Sequence, residues 1–207
     1  MSQTERQRRL RLLVKKLNKE RKRQASRVDI LCNDLIGAQR EFVRRLNQIG
    51  FAARFYKGLL GAADLRGLVV QAGRLLREEM HGARVVFFLR QGEGGETRAW
   101  DAEPACDSQD VRLEDYLTPG LAAGISKSNR LCTMDDLFGM GLEGNRQVLN
   151  GLSAVTVPLN DLGRSLGFVL LCRTADHPLH NDEIERVALV TCGLSQAIRN
   201  CGAPVQP

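Results

Sequence analysis

The most regular hydrophobic pattern runs through the first 56 residues, where apolar side chains recur alternately every three and four positions. Proline is absent from residues 4–56, and this spacing predicts one long helix with an apolar seam. In a heptad frame that begins at Leu10 and ends at Tyr56, eleven of the fourteen seam positions are apolar, and Arg21, Gln24 and Arg45 are polar. We expect the dimer contacts at Leu10, Val14, Leu17, Val28, Leu31, Leu35, Phe42 and Ile49.

A single helix with so narrow a seam would leave its apolar side chains in water. Pairing two copies would bury these side chains, and each burial would stabilise the pair by about 1.5–3 kcal/mol. The alternatives are a helix that folds back onto its own domain and a frayed N-terminal segment. We expect a dimeric coiled coil, and the pattern does not distinguish a parallel from an antiparallel pair.

The hydrophobic pattern changes after Tyr56 and predicts an α+β domain of alternating helices and hairpins. Expected helices cover residues 65–80, 119–126 and 142–149, and a last one that Asn181 caps and that runs to Cys201. Expected strands cover residues 84–90 and 97–101 around a glycine-rich turn, a short segment within 129–136, and the hairpin of 153–159 with 165–173. Residues 102–112 are polar and predict a loop.

Charge is distributed unevenly along the chain, whose formal net charge is +6. Residues 1–27 hold eleven Lys and Arg against two Glu, so the remainder of the chain is mildly acidic. We expect any polyanion contact in this segment, at Arg8, Arg9, Lys15, Lys16, Lys22 and Arg23. The alternative is a charged face that only meets solvent. Residues 1–41 contain no aromatic residue, which disfavours stacking on single-stranded bases and an interfacial membrane helix.

Composition and cysteine usage indicate an ordinary globular protein. The chain is 43% hydrophobic and 26% charged, and no apolar run reaches the length of a transmembrane helix. The six cysteines show no CxxC pair and no metal-ligand spacing, and no secretory signal is apparent. We therefore expect reduced thiols and a cytoplasmic location.

No arrangement of catalytic residues stands out in the sequence. His177 and His180 could hold a metal with Asp176, but we favour the interpretation as a solvated loop. Thiol redox chemistry would need a reactive Cys106 or Cys132 near a resolving thiol. We expect no enzymatic activity, no cofactor and no metal.

Several stretches, taken in order, resemble GAF domains. They are the helix 65–80 with the strand 84–90, the segment 120–128 followed by Asp135-Asp136-Leu137, the strands 155–159 and 166–170, and Asn181-Asp182-Glu183 before the last helix. The resemblance covers about residues 56–201. It implies an antiparallel sheet, with the first and last helices on one face continuing into a dimeric coiled coil. It also implies a ligand pocket on the other face, for which the candidates are Phe88, Trp100, Leu121, Asp135 and Asp136. Trp100 is the one Trp of the chain, and we expect it in the sheet core, with the pocket wall as the alternative.

Two ligand classes of the GAF family are not supported by these residues. The cyclic-nucleotide signature is reduced here to Asp182-Glu183, and the surroundings of Cys106 and Cys132 do not resemble bilin attachment sites. Any small-molecule ligand therefore stays unidentified.

The sequence predicts a basic coiled-coil helix over residues 1–56, a GAF-like domain over 57–201 and a flexible tail over 202–207. The function that we expect is a non-enzymatic sensor in signal transduction, a homodimer that couples a small-molecule or protein signal to a partner. The alternative is a structural adaptor or nucleic-acid-associated protein with a ligand-free GAF fold and a basic N-terminal helix.

Overall fold

The structure is a computed structural model that describes residues 3–91, 96–101 and 112–202. The centre of the expected turn after residue 91, most of the expected loop 102–112, Cys106 and nearly all of the expected tail lie outside the described residues. The chain divides into two compact units, Met1–Asn47 and Gln48–Pro207. None of the described helices combines the length and the apolar character that a membrane crossing requires.

The first unit consists of helix α1, Gln3–Leu59, as far as Asn47. Every described side chain from residue 5 to residue 40 is exposed, including the apolar ones. The predicted long N-terminal helix is therefore confirmed, and its pairing with a second copy stays a prediction.

The second unit is an antiparallel sheet between two layers of helices. Its helices are α2 Leu65–Glu79, α3 Pro119–Ser128, α4 Met134–Gly139, α5 Arg146–Leu149 and α6 Asn181–Gly202, with a short 3-10 helix at Leu113–Tyr116. Its strands are β1 Arg84–Gln91, β2 Glu96–Asp101, β3 Cys132–Thr133, β4 Leu152–Asp161 and β5 Arg164–Thr174, in the spatial order β2-β1-β5-β4-β3. The predicted α+β class is confirmed.

The two faces of the sheet bury alternate residues of each strand, as the period of two in a β-strand requires. On the first face, Val85, Phe87 and Leu89 of β1 pack with α1, α2 and α6. On the second face, Val86 and Phe88 pack with α3, α4, α5 and the 3-10 helix. Each face therefore has its own hydrophobic core.

The C-terminal end of α1 belongs to the first of these cores. Phe51, Phe55 and Leu59 are buried there, and Phe55 is fully inaccessible. For this reason the compact units divide after Asn47, whereas the sequence placed the boundary at residue 56.

Local signals explain where several helices begin. Asp64 caps α2 by accepting a hydrogen bond from the Gly67 amide at 2.7 Å. Thr118 caps α3, whose first residue is Pro119. The β4–β5 hairpin turns at Leu162 and Gly163, both at positive φ, which is typical of a two-residue turn.

The short strand expected within 129–136 is β3, and it ends at Thr133 because Thr133 and Asp136 form a capping box that starts α4. Two other expected elements differ from the structure. The helix expected over 142–149 begins only at Arg146, after an Asn145 cap. Asn181 is the first residue of α6 and not its cap. The side-chain hydrogen bond at this helix start comes from Glu183 instead, whose carboxylate accepts from the His180 amide at 2.9 Å.

Candidate functional site

The second face of the sheet is where the family resemblance placed a ligand pocket. Phe88 of β1 and Phe168 of β5 stack there with ring centroids 4.7 Å apart and an angle of 9° between the planes. Leu121 and Ile125 of α3 and Leu137 of α4 cover these rings, and all three are buried. In the described part of this face, large side chains thus fill the space between the sheet and its covering helices.

Two of the five pocket candidates, Phe88 and Leu121, belong to this packed layer. Asp136 accepts hydrogen bonds from the Thr133 amide and hydroxyl, at 2.8 and 2.9 Å, and these bonds hold its pKa below the ordinary range. Asp135 is exposed on the first turn of α4. The structure therefore gives Asp136 a helix-capping role and places Asp135 in solvent.

Trp100, the fifth candidate, lies on the first face of the sheet. It pairs in register with Phe87, whose side chain points toward α1, α2 and α6, and Trp100 packs against the same core. The Arg98 guanidinium carbon lies 5.3 Å from the centre of the indole ring. Trp100 and Phe88 are therefore on opposite faces, and the five candidates do not line one pocket.

Small polar groups lie between α3 and the sheet, and no sequence motif marks them as a group. The Ser126 and Ser165 hydroxyls are 2.8 Å apart. Cys132 is fully buried, and its thiol donates to the Arg130 carbonyl at 3.5 Å. Thr156 faces Cys132 across the β3–β4 pair, and its buried hydroxyl has no hydrogen-bond partner among the described residues.

An ion cluster ties the 3-10 helix to the sheet. The Arg84 guanidinium contacts the carboxylates of Asp101 and Glu114, each at 2.6 Å. Cys172 pairs with Arg84 in register, and burial raises the pKa of its thiol to about 11, with the Glu114 charge adding to the shift. This thiol is protonated near neutral pH and is therefore a poor nucleophile.

All three histidines of the chain line one groove of about 560 Å³, between the α2–β1 turn and the β5–α6 connection. His81 joins His177, His180 and Asp176 there, a juxtaposition that their separation in sequence conceals. Arg173 also lines the groove, and its guanidinium binds Glu183 at 3.0 and 3.3 Å. No three potential ligands among the described residues have a geometry that would hold a metal ion.

A second groove of about 560 Å³ lies between the C-terminal end of α1 and α6. The Tyr56 ring packs directly over Gly193, where an added Cβ would come within 2.4 Å of the ring. Burial raises the pKa of the Tyr56 hydroxyl, which donates to the Leu189 carbonyl at 3.5 Å. Glycine at this position lets α1 and α6 approach closely.

The predicted seam forms an exposed apolar stripe along α1, from Leu10 in the first unit to Ile49 at the start of the second. Leu17, Leu31 and Leu35 are 66–69% exposed, and Phe42 and Ile49 are 63–64% exposed. Leu10 and Val14 line a shallow depression of about 400 Å³ together with Arg11, Lys15 and Asn18. Further exposed apolar side chains of α1 lie outside the predicted seam, and they are Leu12, Leu13, Ile30, Ile36, Val43 and Leu46.

No protein-family model and no curated protein sequence matches the chain. Solved structures do match its fold. The GAF domain of a phosphoenolpyruvate-protein phosphotransferase from Coxiella burnetii is 14% identical with a TM-score of 0.56, and the match covers 75% of this chain and 94% of that one. The corresponding domain from Acinetobacter is 10% identical, with a TM-score of 0.55 and coverages of 74% and 93%.

A methyl-accepting chemotaxis protein is similar as well, at 14% identity and a TM-score of 0.50, over 73% of this chain and 96% of that one. At such low identities the likeness concerns the backbone architecture alone. It agrees with the element order and sheet topology described above and with the resemblance that the sequence motifs showed. The chain therefore contains a domain with the GAF fold.

Proposed function

We propose that the chain is a non-enzymatic regulatory protein that acts as a homodimer, paired along α1, and couples a signal received by its GAF domain to a partner. The observation that carries this proposal is the exposed apolar stripe of α1 beside a GAF fold. The signal is a small molecule or a protein, and the location that we propose is the cytoplasm.

The stripe supports pairing because leaving it in water is costly. Leu31 is 66% exposed and Leu35 is 69% exposed in the single chain, and both occupy seam positions. Burying such a side chain against a second helix contributes about 1.5–3 kcal/mol. The seam continues over many turns, so its summed contribution is enough to offset the entropy that association costs.

The second unit offers a route by which a signal reaches α1. Phe51, Phe55 and Leu59 of α1 are part of the core that also contains α2, α6 and the first face of the sheet. A ligand or protein that binds two packings of this core with different affinity would shift the balance between them. Because these three residues belong to α1, the shift would reach the paired helix.

The two buried cysteines among the described residues, Cys132 and Cys172, are unsuited to thiol redox chemistry, which supports a non-enzymatic role for them. Cys132 is fully buried, and the pKa of Cys172 is raised to about 11. Reactive thiols are partly exposed and have lowered pKa values. The burial of Cys132 and the raised pKa of Cys172 are the opposite of these properties.

Measuring the molar mass of the full chain by light scattering tests the pairing. We expect a dimer for the wild type and a monomer for the double variant Leu31→Asp with Leu35→Asp, because two buried charges per chain disrupt the seam. The matched control is Ile30→Asp with Ile36→Asp, which changes neighbouring exposed apolar residues outside the seam and should stay dimeric. A monomeric wild type, or equal loss of the dimer in both variants, would contradict the proposal.

The packed second face favours one further candidate, a structural adaptor whose GAF fold binds no small molecule. Phe88, Phe168 and Leu121 occupy space that a ligand would need. Native mass spectrometry of the purified chain separates this adaptor from a small-molecule sensor, since the sensor would retain its ligand and the adaptor would show only the mass of the protein.

A further inference from the structure

The basic residues of the first unit are arranged in a regular pattern along α1. With Leu10 at position d and Val14 at position a of the heptad, Arg8, Lys15 and Lys22 all fall at position b. Arg9, Lys16 and Arg23 all fall at position c. Two adjacent positions are thus basic in three successive heptads, and the pattern ends there because Asp29 and Ile30 occupy the next pair. We call these six residues the basic stripe.

The basic stripe lies on the side of α1 that faces away from the seam. At about 100° per residue, the midpoint of positions b and c is about 180° from the midpoint of positions a and d. Successive pairs are about 10 Å apart along the axis, so the stripe is about 22 Å long. Pairing of the seam would therefore leave the basic stripe in solvent.

The six side chains are available for a partner. All of them are exposed, and the ion pairs formed by described residues involve none of residues 5–27. Six unneutralised cations in one stripe repel each other, and a polyanion that lies against the stripe would relieve this repulsion.

We propose that the basic stripe binds the phosphate backbone of a nucleic-acid duplex without reading its sequence. A duplex presents phosphates continuously along its length and matches an extended row of Lys and Arg. A single strand is less suitable, because stacking needs aromatic side chains and residues 1–41 have none. A lipid surface is also less suitable, because an interfacial helix inserts apolar side chains into the membrane. Position f lies between rows b and c, and Leu12 is its one apolar residue in residues 5–27.

The basic stripe exists on a single helix and therefore does not depend on the proposed sensing function. If α1 pairs, each dimer carries two such stripes, one on each outer side. Loss of pairing and loss of nucleic-acid binding are consequently separate experimental outcomes.

Fluorescence anisotropy of a labelled duplex of about 20 base pairs, with DNA and RNA versions, tests the proposal on the full chain. For six phosphate contacts, we expect affinity to fall about a thousandfold between about 50 and 200 mM salt. The test variant replaces Arg8, Arg9, Lys15 and Lys16 with Gln. The matched control replaces Arg6, Arg11, Arg27 and Arg40 with Gln, which removes the same number of charges from α1 at positions outside both the stripe and the seam.

We expect the stripe variant to lose about a hundredfold in affinity or more at low salt, and the magnitude of its salt slope to fall by about 3–4. The control should lose less than about tenfold and keep its slope. Equal losses in the two variants would show a diffuse charge effect and overturn the proposal. So would the absence of duplex binding, or tighter binding to phosphatidylserine vesicles or to polyglutamate than to either duplex.

Discussion

At the scale of single residues, Gly167 of β5 shows how closely the strands of the GAF domain approach each other. Its φ is +135°, and a Cβ atom at this position would lie 1.8 Å from the Phe88 carbonyl oxygen of β1. Any side chain would therefore both strain the backbone and push two central strands apart. The stacked rings of Phe88 and Phe168 are next to this point, so their geometry depends on the same close approach.

We expect Gly167→Ala to lower the free energy of unfolding by about 4 kcal/mol, a loss of the size caused by severe core disruption. The matched control is Gly163→Ala in the β4–β5 turn, where φ is also positive at +81° but no atom lies within 4 Å of the added Cβ. Backbone strain alone should cost this control about 1 kcal/mol. Urea denaturation measures both values, and similar losses in the two variants would show that the close approach is not important.

At the scale of secondary-structure elements, Glu183 joins the start of α6 to strand β5. Burial alone would raise the pKa of its carboxyl group, but hydrogen bonds from the His180 amide and the Arg173 guanidinium outweigh it and lower the pKa. A carboxylate with a lowered pKa in the folded state stabilises the fold above its unfolded pKa of about 4.3 and loses this contribution as the pH falls.

We therefore expect Glu183→Gln to destabilise the protein by about 2 kcal/mol at neutral pH, and this difference from the wild type to shrink below about pH 4. Thermal or urea unfolding at several pH values measures it. A double-mutant cycle with Arg173→Gln provides the control, because the pair should cost less together than the sum of the single changes. A difference that stays constant down to about pH 3 would exclude the ion pair as its source.

The elements of the fold were largely predictable because their hydrophobic periods are clear. The helix over 65–80 and the strands of both hairpins have strong periodic patterns, and each occurs within one or two residues of its expected bounds. The segment around Thr133 was less predictable, because a capping box decides its structure through hydrogen bonds between two side chains and the backbone. Alternation cannot detect such a signal.

The candidate site was less predictable than the fold because it depends on register. Trp100 was expected in the sheet core, with a pocket wall as the alternative, and the pairing of β2 with β1 places it opposite Phe87, in the core of the first face and not on the face of Phe88. A shift of one residue in a hairpin moves every side chain to the other face. The length of the connecting turn sets that register, and a glycine-rich sequence allows several lengths.

At the scale of the whole molecule, the two units differ in how their described side chains are packed. Every described side chain of residues 5–40 is exposed, so no tertiary packing holds this part of α1. Helices in water are marginal without such packing, even when their residues have good helix propensity. If the seam pairs as we propose, folding of the first unit and dimerisation are one event, whereas the second unit has two cores of its own.

We therefore expect the helical signal of the first unit to disappear when the dimer dissociates. The variant Leu31→Asp with Leu35→Asp should lose circular dichroism at 222 nm by an amount that corresponds to residues 3–47, while the unfolding transition of the second unit is retained. The control Ile30→Asp with Ile36→Asp should keep the full signal, and dilution of the wild type should reproduce the loss reversibly. If the variant with Leu31→Asp and Leu35→Asp is monomeric but keeps its full helix content, α1 is stable alone. Folding of the first unit and dimerisation would then be separate events, which contradicts this prediction.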